Sequence, residues 1–366
     1  MSMRYFPLSY CPEGEQVLHR LRQLYQDRQQ RIVLAKMNVP SKNLAEFAER
    51  HQAGYCDYPN IGERLEFWDK YTREHTTIYD DSIPSAYLSE MDQGLYGGLF
   101  GGDVRFLCDV EKGWISSMVP PILQQWSEFD ALSLSTDHEW YNRYTNYLGK
   151  FVQASCGKYG ISHFILINGL NFVFELVGAT QAYLDLEENP EMIQKAIDLA
   201  HETNLLIHKT FFEKVPLVEG GTCSNYAQWV PGKIVSESLD PFHMTSVHCF
   251  EKWGREPIEK IFAQFDGGVI HIHSNGRHLL EAASVLKGLK AIRLFDEEDN
   301  PPAFETLSDL KKHVGEVPLI CPVEFPAFYQ TLRDHELLGG VFYDVRNVPD
   351  VSTANSCMAL VRKYYG

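Results

Sequence analysis

The stretch Val269-Ile270-His271-Ile272-His273-Ser274-Asn275-Gly276, followed by Arg277 and His278, decides how the rest of the chain is read. An apolar run that ends in polar residues and hands over to a helical pattern is a short buried strand. Strand side chains alternate between faces, so His271 and His273 project to the same side. Two imidazoles there can form two corners of a metal site, because neutral imidazole nitrogen is a common ligand for zinc and similar ions. Two histidines hydrogen-bonded in a polar pocket would read the same way, and a His-x-His alone does not separate the two.

Downstream the same grammar repeats. Residues 291–295 form an apolar run that ends at Asp296, 318–321 lead to Glu324, and 340–343 end at Asp344 with Arg346 behind it. These runs begin at 269, 291, 318 and 340, a spacing of 22, 27 and 22 residues, and helical patterns fill the gaps. Upstream, 32–38, 76–79, 164–167 (ending at Asn168) and 216–218 (ending at Glu219) are further strand candidates. Strands alternating with helices imply parallel βα units. About eight of them suit a closed (β/α)8 TIM barrel better than an open sheet. The expected fold is therefore α/β, with residues 1–75 an N-terminal helical extension packed on a barrel of residues 76–366. No glycine fingerprint argues for a doubly wound dinucleotide fold.

Val17, Leu18, Leu21, Leu24 and Tyr25 recur at helical spacing within 15–30, and a second helix is expected over 41–52. Asn189-Pro190-Glu191 has the form of a helix start, with Asn as cap and Pro at the first position. It opens a long helix with Ile193, Ala196, Ile197, Ala200, Ile207 and Phe211 on one face. The glycines within 94–102 fit neither a P-loop nor a dinucleotide motif; a mobile loop or tight backbone packing accounts for them. The aromatic stretches 114–121 and 126–140 read as padding for outer helices, and 240–250 as a loop holding His243 and His248.

The chain of 366 residues carries a formal net charge of -16, with 49 acidic residues against 33 basic ones, a field that repels nucleic acid and anionic membrane. Its eight cysteines are scattered and form no C-x-x-C pair, as expected of reduced thiols in a cytoplasmic protein. No basic segment followed by an apolar core opens the sequence, and no window approaches 18 consecutive apolar residues, so neither export nor a membrane span is expected.

In a parallel barrel the C-terminal strand ends build the active site. That rule selects Asp81, Asn168, Glu219, His271, His273, Asp296, Glu324, Asp344 and Arg346. Polar residues at such places also cap helices and satisfy loop backbone.

Four segments, in order, make the chain resemble the uroporphyrinogen decarboxylase superfamily over 78–366: Tyr79-Asp80-Asp81-Ser82-Ile83-Pro84, Leu186-Glu187-Glu188-Asn189-Pro190-Glu191, His271-Ile272-His273-Ser274-Asn275-Gly276 and Tyr343-Asp344-Val345-Arg346-Asn347-Val348-Pro349. The resemblance implies a (β/α)8 barrel, often a homodimer, from one of two branches. Porphyrinogen decarboxylases share an arginine-containing N-terminal motif that Met3-Arg4-Tyr5-Phe6-Pro7 does not reproduce. A multiply anionic tetrapyrrole would need concentrated arginine, and only Arg346, with Arg105 and Arg277 further out, stands near the expected mouth.

The cobalamin-dependent methyltransferases, which hold zinc through a His-x-Cys pair, are the nearer branch. His271-Ile272-His273-Ser274-Asn275 resembles their His-x-Cys-Gly-Asn strand end, with His271 in place of the zinc-binding His and His273 in place of the Cys. Their other ligands come from later strand ends, which implies Asp296 and Asp344 here; Cys321 is the only cysteine near a late strand end. Two His with carboxylates make a harder site than one with thiolates, suited to zinc or another divalent metal. Asp81, Glu219 and Arg346 are the expected catalytic residues beside it. The chain has no Asp-x-His-x-x-Gly cobalamin motif, so a corrinoid would be supplied by a partner protein. The expected function is metal-dependent methyl transfer between a small oxygen- or sulfur-bearing substrate and that corrinoid. The alternatives are a lyase that decarboxylates a porphyrinogen or other carboxylate, and a non-catalytic barrel that binds a small ligand.

Overall fold

Strands buried on both faces must be apolar throughout, and the four late runs fold accordingly. The computed structural model describes residues 7–365. Its strands are β1 (Val33–Met37), β2 (Gly54–Cys56), β3 (Ser85–Tyr87), β4 (Arg105–Asp109), β5 (Trp114–Met118), β6 (Gly160–His163), β7 (Ile165–Leu166), β8 (Gly221–Ser224), β9 (Gln228–Pro231), β10 (Val235–Ser238), β11 (Gly268–Ile272), β12 (Leu289–Leu294), β13 (Leu319–Glu324) and β14 (Val341–Arg346). Seven form one parallel sheet in the order β1-β14-β13-β12-β11-β10-β7. A second sheet, β3-β6-β8-β9, is parallel except for the β8-β9 hairpin. Phe164 alone separates β6 from β7. The third sheet, β2-β4-β5, is antiparallel.

Alternation along the main sheet divides its core in two. Val33, Ala35, Ile270, Ile272, Ile292, Leu294, Cys321, Tyr343 and Val345 face the cluster shared with the surrounding helices. Leu34, Val269, Ala291, Ile320 and Phe342 face the other way, into a cluster with Val17, Leu18, Leu21 and Leu24 of the helix Gly14–Tyr25. That helix covers the N-terminal end of this inner face. Two residues further along each strand the same face carries Lys36, His271, Arg293, Pro322 and Asp344, so polar chemistry is confined toward the C-terminal ends.

Several expectations change. The 1–75 segment supplies β1, paired with β14, in addition to helices. Residues 76–79 are no strand: Glu74–Thr77 is a 3-10 turn with a loop behind it. Residues 216–218 only lead up to β8, Val218 making an isolated bridge to Gly221. The helix Pro190–Lys214 does begin at its proline, but the Asn189 side chain does not cap it; its amide donates to Asp185 Oδ1 of the preceding helix at 2.6 Å.

The glycine-rich segment is a site of close packing. In the helix Gln93–Gly98, a Cβ on Gly97 would stand 2.1 Å from a Val119 methyl. Gly97→Ala is therefore expected to lower stability by about 1–3 kcal/mol in a denaturant titration, the usual cost of overpacking. Nearby, Arg64 is 1% exposed and its Nε donates to the fully buried Glu90. One Arg64 Nη donates to Gly113 O at 2.8 Å, and the guanidinium lies over Phe47, Phe67 and Trp68. All eight cysteines are free thiols. Among the described residues no helix is long and apolar enough to cross a membrane.

Candidate metal centre

β10 and β11 run side by side, with Ser238 level with His271. Each ends by turning into a short 3-10 segment, Asp240–Phe242 after β10 and Ser274–Leu279 after β11. The first turn brings Asp240 in front of the two histidines. Asp240 Oδ1 lies 2.9 Å from His271 Nε2 and 3.6 Å from His273 Nε2. One ligand atom from each of the three residues falls within 4.8 Å of the others, so Asp240, His271 and His273 form a group that could hold a metal ion.

The outer nitrogens of both imidazoles are occupied. His271 Nδ1 shares a 3.0 Å hydrogen bond with the hydroxyl of the buried Tyr226, and His273 Nδ1–H donates to Glu297 Oε1. This leaves the Nε2 atoms facing Asp240. Phe295 packs against both imidazoles, its ring 5.4 Å from that of His271 and 5.1 Å from that of His273. His271 is 3% exposed, whereas the His273 and Asp240 side chains are 31% and 50% exposed, so the group opens on the side of those two. Burial opposes ionisation of Asp240, yet the hydrogen bond and charge of His271, aided by His273 and His243, hold its carboxyl well below the usual carboxylate range.

His243 follows on the same turn, Nδ1 3.6 Å from Asp240 Oδ1. Burial pushes its imidazole down to about 4, so it stays neutral at neutral pH. The ring packs on Gly276, where a Cβ would meet its Cδ2 at 2.1 Å; the glycine of the opening motif makes room for His243.

The other sequence candidates lie elsewhere. Asp296 follows Phe295 and so points to the opposite face; it binds Arg277 at 2.9 Å and accepts from Ala303 N at 2.7 Å, tethering its own loop. Asp344 shares the inner face but is engaged by Arg293 and by Asn38 Nδ2 at 2.7 Å. Burial works against its charge; Arg293 and Lys36 prevail and hold it below the usual carboxylate range. Asp81 precedes β3 and is locked, fully buried, to Arg20 Nε at 2.7 Å. Burial pushes its carboxyl up, against the pull of Arg20. Glu219 precedes β8 in an exposed turn with φ 46°, its carbonyl accepting from Arg22. Both thus stand at the start of a strand. Asn168 Nδ2 donates to Glu237 at 3.2 Å, and Glu324 accepts from Asn347 at 2.8 Å. Arg346 ends β14 on the inner face, half-buried.

Asp240, Tyr226 and Glu297 were not among the sequence candidates. A strand ending in Ser238 would have pointed to Asp240, but Val235-Ser236-Glu237-Ser238 lacks the apolar run that marks the later strands. No family model matches the chain, and no curated protein matches it.

Proposed function

We propose that this chain is a metal-dependent barrel enzyme that moves a methyl group between a small oxygen- or sulfur-bearing substrate and a corrinoid carried by a separate protein. The observation that carries the reading is the completeness of the ligand arrangement. Metal-binding histidines almost always give their second nitrogen to a carboxylate, backbone carbonyl or water, which fixes ring and tautomer; His273 has the Glu297 carboxylate in that place and His271 the Tyr226 hydroxyl. Ligands 2.0–2.1 Å from a tetrahedral ion stand about 3.3 Å apart; the 2.9 and 3.6 Å separations of Asp240 from the two imidazoles straddle that value.

Two imidazoles and one carboxylate leave a fourth position open on a tetrahedral ion, and zinc suits the set. When bound, the ion supplies Lewis acidity to a substrate oxygen or sulfur, lowering its pKa and easing exchange of a methyl group at that atom. Glu297 and Tyr226 hold the two rings in place, Phe295 packs against both, and the half-open side of His273 and Asp240 admits substrate. The methyl-transfer part of the reading rests on the resemblance of the 271–276 segment. Two contacts support reading the seven strands of the main sheet and β3 as one closed ring of eight: the single-residue step at Phe164, which makes β6, the neighbour of β3, continuous with β7, and the bond from Asp81 N–H, just ahead of β3, to Ala35 O of β1 at 2.9 Å. The free thiols suit a reducing compartment.

Metal analysis of protein purified without a histidine tag tests the first half. The expected content is close to one equivalent of zinc or another divalent ion, removable by chelator and restored on adding zinc. The loaded protein should then methylate reduced cobalamin from a methylated thiol or methanol. A folded protein that takes up no metal after supplementation would end this reading and leave the decarboxylase and ligand-binding alternatives.

A further inference from the structure

Beside the histidines the inner face carries a second group of side chains that the metal reading does not use. Lys36 on β1 is level with Asp344 on β14, and Arg346, one inner position further on, is level with Glu324 at the end of β13. Arg293 on β12 is level with His271 and grips Asp344. Lys36 and Arg346 are half-buried; Lys36 lies near enough to Asp344 to favour its charge, but neither side chain makes a hydrogen bond or ion-pair contact among the described residues. Arg293 is 6% exposed, and its Nε is buried without a partner. On β1, β12, β13 and β14 three cations thus stand against two carboxylates, a surplus of one positive charge on these strands in a protein of net charge -16. Half-buried cations whose donors lack hydrogen-bond partners are costly unless something anionic completes them.

We propose that Lys36 and Arg346, backed by Arg293, form a subsite for a carboxylate, and that the small substrate handled at the histidines carries that carboxylate. The second clause rests on the metal reading; the first does not. A carboxylate is favoured over phosphate on charge: each carboxylate group brings a single negative charge, which a surplus of one matches, while phosphate concentrates up to two on one group, which the Asp344 and Glu324 carboxylates repel. Arg346, at the strand end, offers the planar fork that pairs bidentately with carboxylate, and Lys36 a point charge beside it. The guanidinium of Arg293 lies 5.2 Å over the Phe295 ring that also packs against His271 and His273, so one ring joins the two halves of the site. Neighbouring strands are ~4.8 Å apart, and β11 and β14 are separated by two strands. A carboxylate at Arg346 and a heteroatom at the histidines therefore stand on the order of 10–15 Å apart, which calls for a substrate several bonds long.

Titration calorimetry of the full chain with succinate and with inorganic phosphate, on chelated and on zinc-loaded protein, tests this. Wild type is expected to bind succinate in both states and more tightly than phosphate. Lys36→Met and Arg346→Met should each weaken succinate at least tenfold, and Arg346→Lys should recover part of the loss, all with unchanged circular dichroism. Succinate affinity unaltered in the folded variants, or phosphate bound more tightly than succinate, would overturn the subsite. Binding that appears only with zinc and vanishes in His271→Ala would also overturn it while upholding the metal. Succinate binding that depends on Arg346 in a chain that takes up no zinc would support the subsite and remove the metal reading alone.

Discussion

Zinc titrated into the His271→Ala protein will find no tight site, while Glu297→Gln will bind it roughly 10- to 100-fold more weakly than wild type, the usual effect of removing a ligand's hydrogen-bond partner. Tyr226→Phe belongs with Glu297→Gln, since it strips the hydroxyl from His271 Nδ1 and leaves both ligand nitrogens in place. Asp240→Asn belongs between the two classes: the amide keeps an oxygen but forfeits the negative charge that both imidazoles face. Competition with a chromophoric chelator reads the whole series. The ordering is what matters. If Glu297→Gln binds zinc as tightly as wild type, its contact with His273 is an ordinary surface ion pair and the ligand arrangement loses its main support. The affinity must also fall with acid, because a metal and a proton compete for each Nε2.

The second large effect is far from the histidines. Arg64→Met is expected to cost about 3–5 kcal/mol of folding free energy, because it strands the Glu90 carboxylate in an apolar interior. Arg64 and Glu90 are both almost completely excluded from water, and three aromatic rings surround the guanidinium. Replacing both partners, Arg64→Met with Glu90→Leu, should recover most of that loss, since a well-packed apolar pair is often as stable as a buried ion pair. Urea unfolding of the two single variants and the double variant closes the cycle. A single-variant loss below about 1 kcal/mol, the range of exposed pairs, would mean that Glu90 finds another proton or partner.

The late half of the sheet was legible because β11 to β14 each hold an apolar run that is buried on both faces ahead of its polar end, with a helical pattern between one run and the next. β10 was not, and the reason is chemical. Three of its four residues are polar and all are buried. Ser236 is satisfied by His163 Nε2 at 2.7 Å and Glu237 by Asn168, with burial pushing the Glu237 carboxyl up to about 8 so that it is neutral at neutral pH. A strand held by such contacts has no hydropathy signature, and with it went Asp240, the carboxylate that faces the histidines. Asp296 shows a different failure. Taking the last polar residue of a run as the site residue ignores alternation; counting by twos from the inward-facing Ala291 arrives at Arg293 and Phe295 instead. His271 and His273 were readable because they obey that count and belong to a motif. Tyr226 lies in a turn and Glu297 in the loop after β12, where no periodicity exists to select them.

The pairing of β1 with β14 has a consequence for how the protein is made. Asn38 and Asp344, joined where these strands end, are 306 positions apart. At a synthesis rate of roughly 5–20 residues per second, residues 33–37 emerge roughly 15–60 s before the partner that will cover one of their edges. Only the Asp81 side of that strand is within early reach, 46 positions away. The nascent chain therefore carries an unpaired, largely apolar strand for that whole interval, a template for mispairing. The ribosome has to add 306 residues beyond Asn38 before that edge of the sheet can be closed.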